Sequence, residues 1–317
     1  MALFLSEEDV KALLTMPMAL AAVEAAHSEC AVGQAIDAPR HRTRLPLTVM
    51  HMLQGALPSL GVLGFKVYTT NRSGARFNVH LFDAASGMAT AVIAADTLGM
   101  MRTGAIGGIA AKWLAREDAE IVGVFGAGWQ AQSQIEALCA VRPIKQVKVL
   151  ARNAEKLRAF CERMAQKTGR KVSPAASAEE AVKGSDIVVT ITGAATPLFD
   201  GEWLMPGAHV TAAGSNSLIR REIDETTVRR AKLVCVDSRA VALKECGDLL
   251  PLLEKGYLYA GQLTEIGEVI AGMRPGRGSA QDITLFESHG MAIQDLAVAQ
   301  HILAIARERG LGSELPY

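Results

Sequence analysis

The stretch from Gly123 to Gln132, GVFGAGWQAQ, constrains this chain more than any other. It grows out of Ala119-Glu120-Ile121-Val122-Gly123-Val124-Phe125, a short β-branched apolar run of the kind that forms a buried parallel strand. Gln132 to Val141 then carries Ile135, Leu138 and Cys139 on one helical face. Between the two lie Gly126, Gly128 and Ala131, in Gly-x-Gly-x-x-Ala spacing. Strand, glycine turn and helix, in that order, are the context in which this spacing binds a dinucleotide. Gly126 permits a tight turn. Gly128 lets backbone N–H groups approach a pyrophosphate at the helix N-terminus. Ala131 is small enough for helix to pack on strand. Ala127, Trp129 and Gln130 complete the candidate cofactor-binding turn. A plain glycine turn in a βα unit has the same spacing, but the flanking strand and helix favour the cofactor reading.

From Ala119 onward the pattern alternates: strand Gln146–Leu150, helix Ala154–Thr168, strand Lys171–Val172, helix Ala178–Val182, strand Ile187–Thr192, strand Ala208–Ala213, helix Asp224–Arg230 and strand Leu233–Val236. That predicts an α/β fold with a Rossmann, doubly wound parallel sheet. The earlier part of the chain reads as α+β. Ser6 with Asp9 predicts a capping box, and a helix over Ala19–Val32 stops at Gly33. Strands are expected at Thr48–Leu53, Gly61–Thr70, Arg76–Asp83 and Met88–Ala94, giving an antiparallel sheet. Asp96 to Ala115 reads as a long helix of small residues. Each of its glycines costs about 1 kcal/mol relative to Ala, so their clustering implies close approach of a backbone or a ligand, or tight helix packing alone. The charged break Arg116-Glu117-Asp118 places the domain boundary, giving residues 1–116 and a Rossmann domain over 117–291. The last helix, within 292–317, is expected to pack back on the first domain.

Composition removes several function classes. Lys plus Arg equal Asp plus Glu at 33 each, so no basic excess exists to neutralise nucleic-acid phosphates. Aromatic residues are only 5%, too few for stacking platforms. Five scattered cysteines without a CxxC predict free thiols in a reducing compartment. The seven histidines share no metal-ligand spacing, so no metal site is expected. No apolar run reaches the ~20 residues that span a bilayer, and the acidic start of the chain is unlike a signal peptide. The expectation is a cytoplasmic protein with no membrane or nucleic-acid partner.

The second Rossmann strand ends in Arg152-Asn153 where an NAD enzyme usually carries an acid for the ribose 2′-OH. Arg152 suits a 2′-phosphate, which favours NADP(H); NAD(H) remains open if Asn153 reads the 2′-OH. Thr103, opening the glycine-rich part of the long helix, is a further candidate cofactor contact. In the first domain Lys66 sits between apolar neighbours on a probable inner strand, where a lysine is rarely buried without a partner or a task. Arg42 and Arg102 join it as cations suited to a carboxylate substrate, though by sequence alone each reads more often as a solvated or salt-bridged charge.

These pieces, with Pro39–Thr43, Gly64-Phe65-Lys66, Leu81-Phe82-Asp83, Met101-Arg102-Thr103-Gly104-Ala105, Ala213-Gly214-Ser215-Asn216, Val236-Asp237-Ser238 and Asp282-Ile283-Thr284-Leu285-Phe286, run almost end to end in order. The chain thereby resembles the ornithine cyclodeaminase/μ-crystallin family. The resemblance implies a homodimer whose first domain makes the subunit contact and holds the substrate, and a Rossmann domain for NAD or NADP. It assigns Arg42, Lys66 and Arg102 to the substrate carboxylate, with Lys66 near the reacting carbon. Arg40 and Arg44 are rival matches to the first arginine. Cyclodeaminases of the family carry an acid where this chain has Asn216, and Asn cannot take a proton. No glutamate stands in Met50–Gln54 either. Both departures favour the family's reductases of imino acids, with hydride transfer to a C=N carbon beside a carboxylate and Asn216 bonding the imine or a water. His51 is a candidate proton relay, and Asp295 reads equally as a helix cap or first-turn charge. Asn71, Arg72 and Arg76 either receive a second substrate carboxylate or form a solvated turn. The alternatives are a cyclodeaminase and a non-catalytic binding protein.

Overall fold

The computed structural model describes residues 2–316. In chain order the elements begin with strand β1 (Ala2–Leu5), helices α1 (Glu7–Leu13) and α2 (Met16–Ala31), and strands β2 (Ile36–Arg44), β3 (Val49–Leu57), β4 (Val62–Asn71), β5 (Gly74–Asp83) and β6 (Ala89–Ala94). Helix α3 (Asp96–Leu114) leads to β7 (Ile121–Phe125), α4 (Trp129–Val141), β8 (Gln146–Leu150), α5 (Ala154–Thr168), β9 (Lys171–Pro174), α6 (Ala178–Val182), β10 (Ile187–Thr190) and β11 (His209–Ala212). Then come α7 (Glu225–Arg230), β12 (Ala231–Val236), α8 (Arg239–Glu245), α9 (Leu250–Glu254), β13 (Thr264–Glu265), α10 (Ile266–Ile270), β14 (Ile283–Glu287), α11 (Ala292–Arg309) and β15 (Ser313–Leu315). The chain forms two compact units. One comprises the residues up to Arg102 together with those from Gly290 onward; the other is Thr103–His289. The sequence break at Arg116–Asp118 and this division differ because α3 is one continuous helix that starts in the first unit and ends in the second.

In the first unit a seven-stranded sheet has the order β15-β1-β6-β5-β4-β3-β2. The pairs from β2 to β6 are antiparallel, while β1 runs parallel to β6. The capping box forms: Asp9 N–H donates to Ser6 Oγ at 3.2 Å and Ser6 N–H to Asp9 Oδ2 at 2.9 Å. Next to that box, Glu7 accepts from the N–H groups of Asp96 and Thr97, at 2.6 and 3.1 Å, so an acid sits at the positive end of α3. Strand β4 alternates strictly. Val62, Gly64, Lys66 and Tyr68 are buried, while Leu63, Phe65, Val67 and Thr69 are not. The buried face packs on α11, which also contacts α2 and β3. A lysine therefore occupies a position whose period is that of the core.

In the second unit an eight-stranded, wholly parallel sheet has the order β13-β12-β14-β11-β10-β7-β8-β9. Strand β10 is buried on both faces: Ile187 and Val189 join one apolar cluster with Val122, Val124, Ile135 and Phe160, and Val188 joins another with Phe125, Val210, Leu252 and Leu285. This two-sided burial is what an uninterrupted apolar strand requires. The glycines of α3 have a packing role here. A Cβ on Gly104 would lie 2.4 Å from the Ser133 backbone, and one on Gly107 2.1 Å from the Gln134 side chain, so α3 and α4 touch closely.

Candidate active site

The chemistry of the first unit centres on Lys66. Its side chain is buried, 2% exposed, with Arg102 at 8% and Asp295 at 0%. Lys66 Nζ donates to Asp295 Oδ1 at 2.8 Å, and Arg102 Nε donates to the same oxygen at 3.1 Å. Arg102 Nη1 also reaches Gln294 Oε1 at 2.7 Å. The Gln294 amide in turn lies 3.0 Å from His27 Nε2. An amide nitrogen only donates, so His27 Nε2 accepts and its proton sits on Nδ1. Both cations use one oxygen of Asp295; Oδ2 is buried with no hydrogen-bond partner among the described residues. The Phe77 ring covers Lys66 Nζ at 5.1 Å. Burial pushes the Lys66 ammonium down to about 8, against the pull of Asp295, and Arg102 and then Arg40 push the same way. Two cations around one carboxylate leave this buried cluster with a surplus positive charge.

Strand β2 supplies the arginines. Residues Ala38 to His41 hold a bulge, with one extra residue in β2 against β3. Arg40 and Arg42 are both half-buried, while Arg44 is exposed. Arg40 is among the charges that act on Lys66, after Asp295 and Arg102. Arg42 pairs in register with His51 and is the largest charge acting on it. His51 stacks flat on Tyr68, ring centroids 4.3 Å apart, and its Nε2 lies 3.0 Å from Thr70 Oγ1. Desolvation, then Arg42, Arg40 and Arg44, lower the imidazole to about 4, so it is neutral at pH 7. Asn71, Arg72 and Arg76 are exposed at the β4–β5 hairpin, and Asn71 Oδ1 accepts from Ser73 N–H at 2.8 Å. This is the geometry of a solvated turn.

In the second unit Gly126 follows β7 with φ +116°, and a Cβ there would meet the Ile191 carbonyl oxygen at 2.6 Å. Gly128 is the N-cap of α4 and supplies no side-chain acceptor to the first N–H groups of the helix. A Cβ on Gly128 would meet no atom within 4 Å. Trp129 is 51% exposed beside it, and Gln130 Oε1 is a buried acceptor with no hydrogen-bond partner among the described residues. Unfilled helix N–H groups facing open space are what a pyrophosphate needs, so the turn fits a dinucleotide. Ala127 completes it, half-buried. The Thr103 carbonyl accepts from Gln134 Nε2 at 2.9 Å, which ties α3 to the helix that the turn opens. At the tip of β8, Arg152 is exposed; Asn153 caps α5, its Oδ1 accepting from Lys156 N–H at 2.8 Å.

Asn216 is exposed in the loop after β11. Glu222 anchors that loop: it accepts from Thr192 N–H and Oγ at 2.6 Å each and from Gly214 N–H at 2.8 Å. Burial lifts its carboxyl to about 7. Neither Glu222 nor the pairing of Asp295 is visible to sequence reasoning, since both are set by partners distant in the chain. An acidic residue in the first turn of a helix looks the same whether it faces water or a lysine.

Comparison with known proteins places this geometry in context. Residues 1–310 match the model of the ornithine cyclodeaminase/mu-crystallin family. A Delta(1)-pyrroline-2-carboxylate reductase of Bacillus cereus is 35% identical over 288 residues, covering 87% of this chain and 88% of that protein. The structure of the Thermococcus litoralis Delta(1)-pyrroline-2-carboxylate reductase, in complex with NADH and L-proline, superposes with a TM-score of 0.94 at 32% identity, covering 99% of this chain and 100% of the other. An archaeal alanine dehydrogenase dimer with bound NAD gives a TM-score of 0.94 at 32% identity, covering 100% of this chain and 99% of the other.

Proposed function

The chain belongs to the ornithine cyclodeaminase/mu-crystallin family, and from that premise we propose that it is a pyridine-nucleotide-dependent oxidoreductase that reduces a C=N bond beside a carboxylate to an amino acid. The observation that carries the proposal is the buried cluster in which Lys66 and Arg102 share one oxygen of Asp295. A surplus positive charge out of water calls for an anion, and a substrate carboxylate supplies it. The relatives named for pyrroline-2-carboxylate and alanine support the same substrate class.

Reduction of a C=N bond needs a hydride at carbon and a proton at nitrogen. The nicotinamide, when bound, supplies the hydride. Gly126, Ala127, Gly128, Trp129 and Gln130 would hold its pyrophosphate, with Thr103 as a further contact. Arg102 and an arginine of β2 would clamp the substrate carboxylate. Arg42 is the candidate for that second place, with Arg40, whose charge is among those acting on Lys66, as its rival. Lys66, buried and lowered to about 8, keeps a proton on Nζ at neutral pH and would pass it to the nitrogen. Asp295 Oδ2, buried and without a partner, would accept an N–H of the substrate nitrogen. His51, neutral at pH 7, would act as a hydrogen-bond partner rather than a proton source. Asn216 would bond the imine or a water.

NADP(H) is the favoured form on the strength of Arg152, exposed at the tip of β8 where a 2′-phosphate would be read. The NADH and NAD of the related structures support NAD(H) as the other possibility. A homodimer is supported by the outer face of the first unit's sheet, where Met50 and Leu63 are 39% and 40% exposed and continue into half-buried Phe65, Val67 and Phe82. The five cysteines are free thiols, which suits a cytoplasmic setting, and no described helix is long and apolar enough to cross a membrane.

The test mixes the purified protein with NADPH or NADH and either pyrroline-2-carboxylate or a panel of 2-oxo acids with ammonia or methylamine. Loss of the reduced-nicotinamide absorbance that depends on the imine, or on both acid and amine, supports the reductase. No loss across the panel, with ornithine or lysine instead releasing ammonia, would replace it with a cyclodeaminase. Inactivity in both would leave a binding protein.

A further inference from the structure

The second unit contains a group of buried ionisable side chains that the proposed reaction does not use. Cys246, just after α8, Glu287, at the end of β14, and His289 are 1%, 1% and 4% exposed. One donor atom from each lies within 4.8 Å of the other two. We propose that Cys246, Glu287 and His289 bind one divalent transition-metal ion of the zinc type, held by thiolate, carboxylate and imidazole.

Charge is the first reason. Glu287 has no lysine or arginine partner among the described residues. The charges that act on it are those of Asp248, Glu222 and Asp237, all of the same sign. Isolated carboxylates are not buried at such positions without a proton or a counter-ion. The ion would displace both protons: a thiol and a carboxyl become thiolate and carboxylate, and two negative charges balance its two positive ones.

Donor chemistry is the second reason. Glu287 Oε1 is buried with no hydrogen-bond partner, so a lone pair is unspent at the position where an ion would bind. Sulfur, carboxylate oxygen and imidazole nitrogen converge there, each within 4.8 Å of the others. Asp237 Oδ1 stands 3.6 Å from His289 Nδ1, and Asp237 Oδ2 accepts from His289 N–H at 2.7 Å. The Asp237 carboxylate holds the His289 backbone and stands close to the ring, so a small shift would let it accept from Nδ1 and orient a histidine ligand. Zinc bonds of about 2.0–2.3 Å place tetrahedral donors roughly 3.3–3.6 Å apart, so donors as much as 4.8 Å apart must close by about 1.2–1.5 Å. The spacing of cysteines and histidines along the chain is blind to this group, because Cys246 follows α8 while Glu287 and His289 lie at and just past the end of β14.

All three donors are buried, so the ion is expected to enter as the chain folds. The test uses the full-length protein, both as purified from zinc-supplemented cells and after unfolding with a chelator and refolding with Co²⁺. The expected result is one equivalent of zinc per chain by elemental analysis. The refolded protein should show a sulfur-to-cobalt charge-transfer band, and zinc should raise the melting temperature. Cys246→Ala should abolish the band, and Glu287→Gln should weaken zinc binding by more than the 10- to 100-fold typical of an outer-shell partner. Cys161→Ala should change neither. Substoichiometric metal in both preparations would overturn the proposal and leave Glu287 as a protonated acid. A band that survives Cys246→Ala, or zinc affinity unchanged in Glu287→Gln, would overturn it too, by placing the ion elsewhere. If the alanine variant does not fold, the isosteric glutamine variant decides alone.

Discussion

Lys66 Nζ and Asp295 Oδ1 meet at 2.8 Å with both side chains out of water, and Arg102 completes the contact on the same oxygen. Removing the carboxylate leaves two buried cations facing each other. Breaking a buried pair from one side costs about 3–5 kcal/mol. Asp295→Asn is therefore expected to lower unfolding stability by that order, measured by urea denaturation. Lys66→Met, which leaves Asp295 paired with Arg102, should cost less. Equal denaturation midpoints for wild type and Asp295→Asn would show that the charge of Asp295 is not needed.

A pH series addresses Lys66 directly. Its ammonium loses its proton near pH 8 in the folded chain, against 10.5 when exposed. Between those values the unfolded chain binds more protons, so stability rises with pH from about 8 to about 10.5, and below 8 the burial cost is present in full. If Lys66 gives the proton, imine reduction should fall as pH passes 8 while amino-acid oxidation climbs. Lys66→Arg should remove that break from both profiles. A break that persists in the arginine variant would assign the proton to another group.

Two glycines of the nucleotide turn should respond in opposite ways. Gly126→Ala puts a side chain at φ +116° and 2.6 Å from a carbonyl oxygen. A loss of about 1–3 kcal/mol of stability is expected, together with nucleotide binding. Gly128→Ala meets nothing in the protein. It should melt at the wild-type temperature yet bind nucleotide more weakly, because its methyl group enters the space meant for pyrophosphate. Calorimetric titration with NADPH and NADH beside a thermal melt reads both; unimpaired nucleotide binding by Gly128→Ala would remove the pyrophosphate from that position.

Arg152 decides between cofactors. A charge-assisted hydrogen bond is worth about 1.5–3 kcal/mol, roughly 10- to 100-fold in affinity. Arg152→Ala is expected to raise the KM for NADPH by that factor and leave the KM for NADH alone. An equal change in both, or in neither, would mean that the guanidinium does not read the 2′-phosphate.

The parts of the molecule that the sequence discloses are those set by near neighbours. The run Ile121–Phe125 with its glycine turn is a local pattern, and so is the strict alternation of β4 that makes Lys66 conspicuous. Strand β2 is harder to read. Ile36–Arg44 has no clean alternation, because the bulge between Ala38 and His41 shifts which residues share a face. Strands β1 and β15 are four and three residues long, too short for any period to register. Asp295, Gln294 and Glu222 take their meaning from residues far away in sequence.

The first unit is closed by α11, a helix made long after the strands it covers. Lys66 leaves the ribosome 229 residues before Asp295, its counter-ion. During that interval β4 has no α11 to cover its apolar face, and the lysine has no carboxylate to meet. A nascent chain in this state would keep Lys66 hydrated and the strand exposed. The unit that begins before the nucleotide-binding one thus closes only after it, and a message cut short before α11 would yield a complete nucleotide turn together with an open sheet, a natural client for a chaperone.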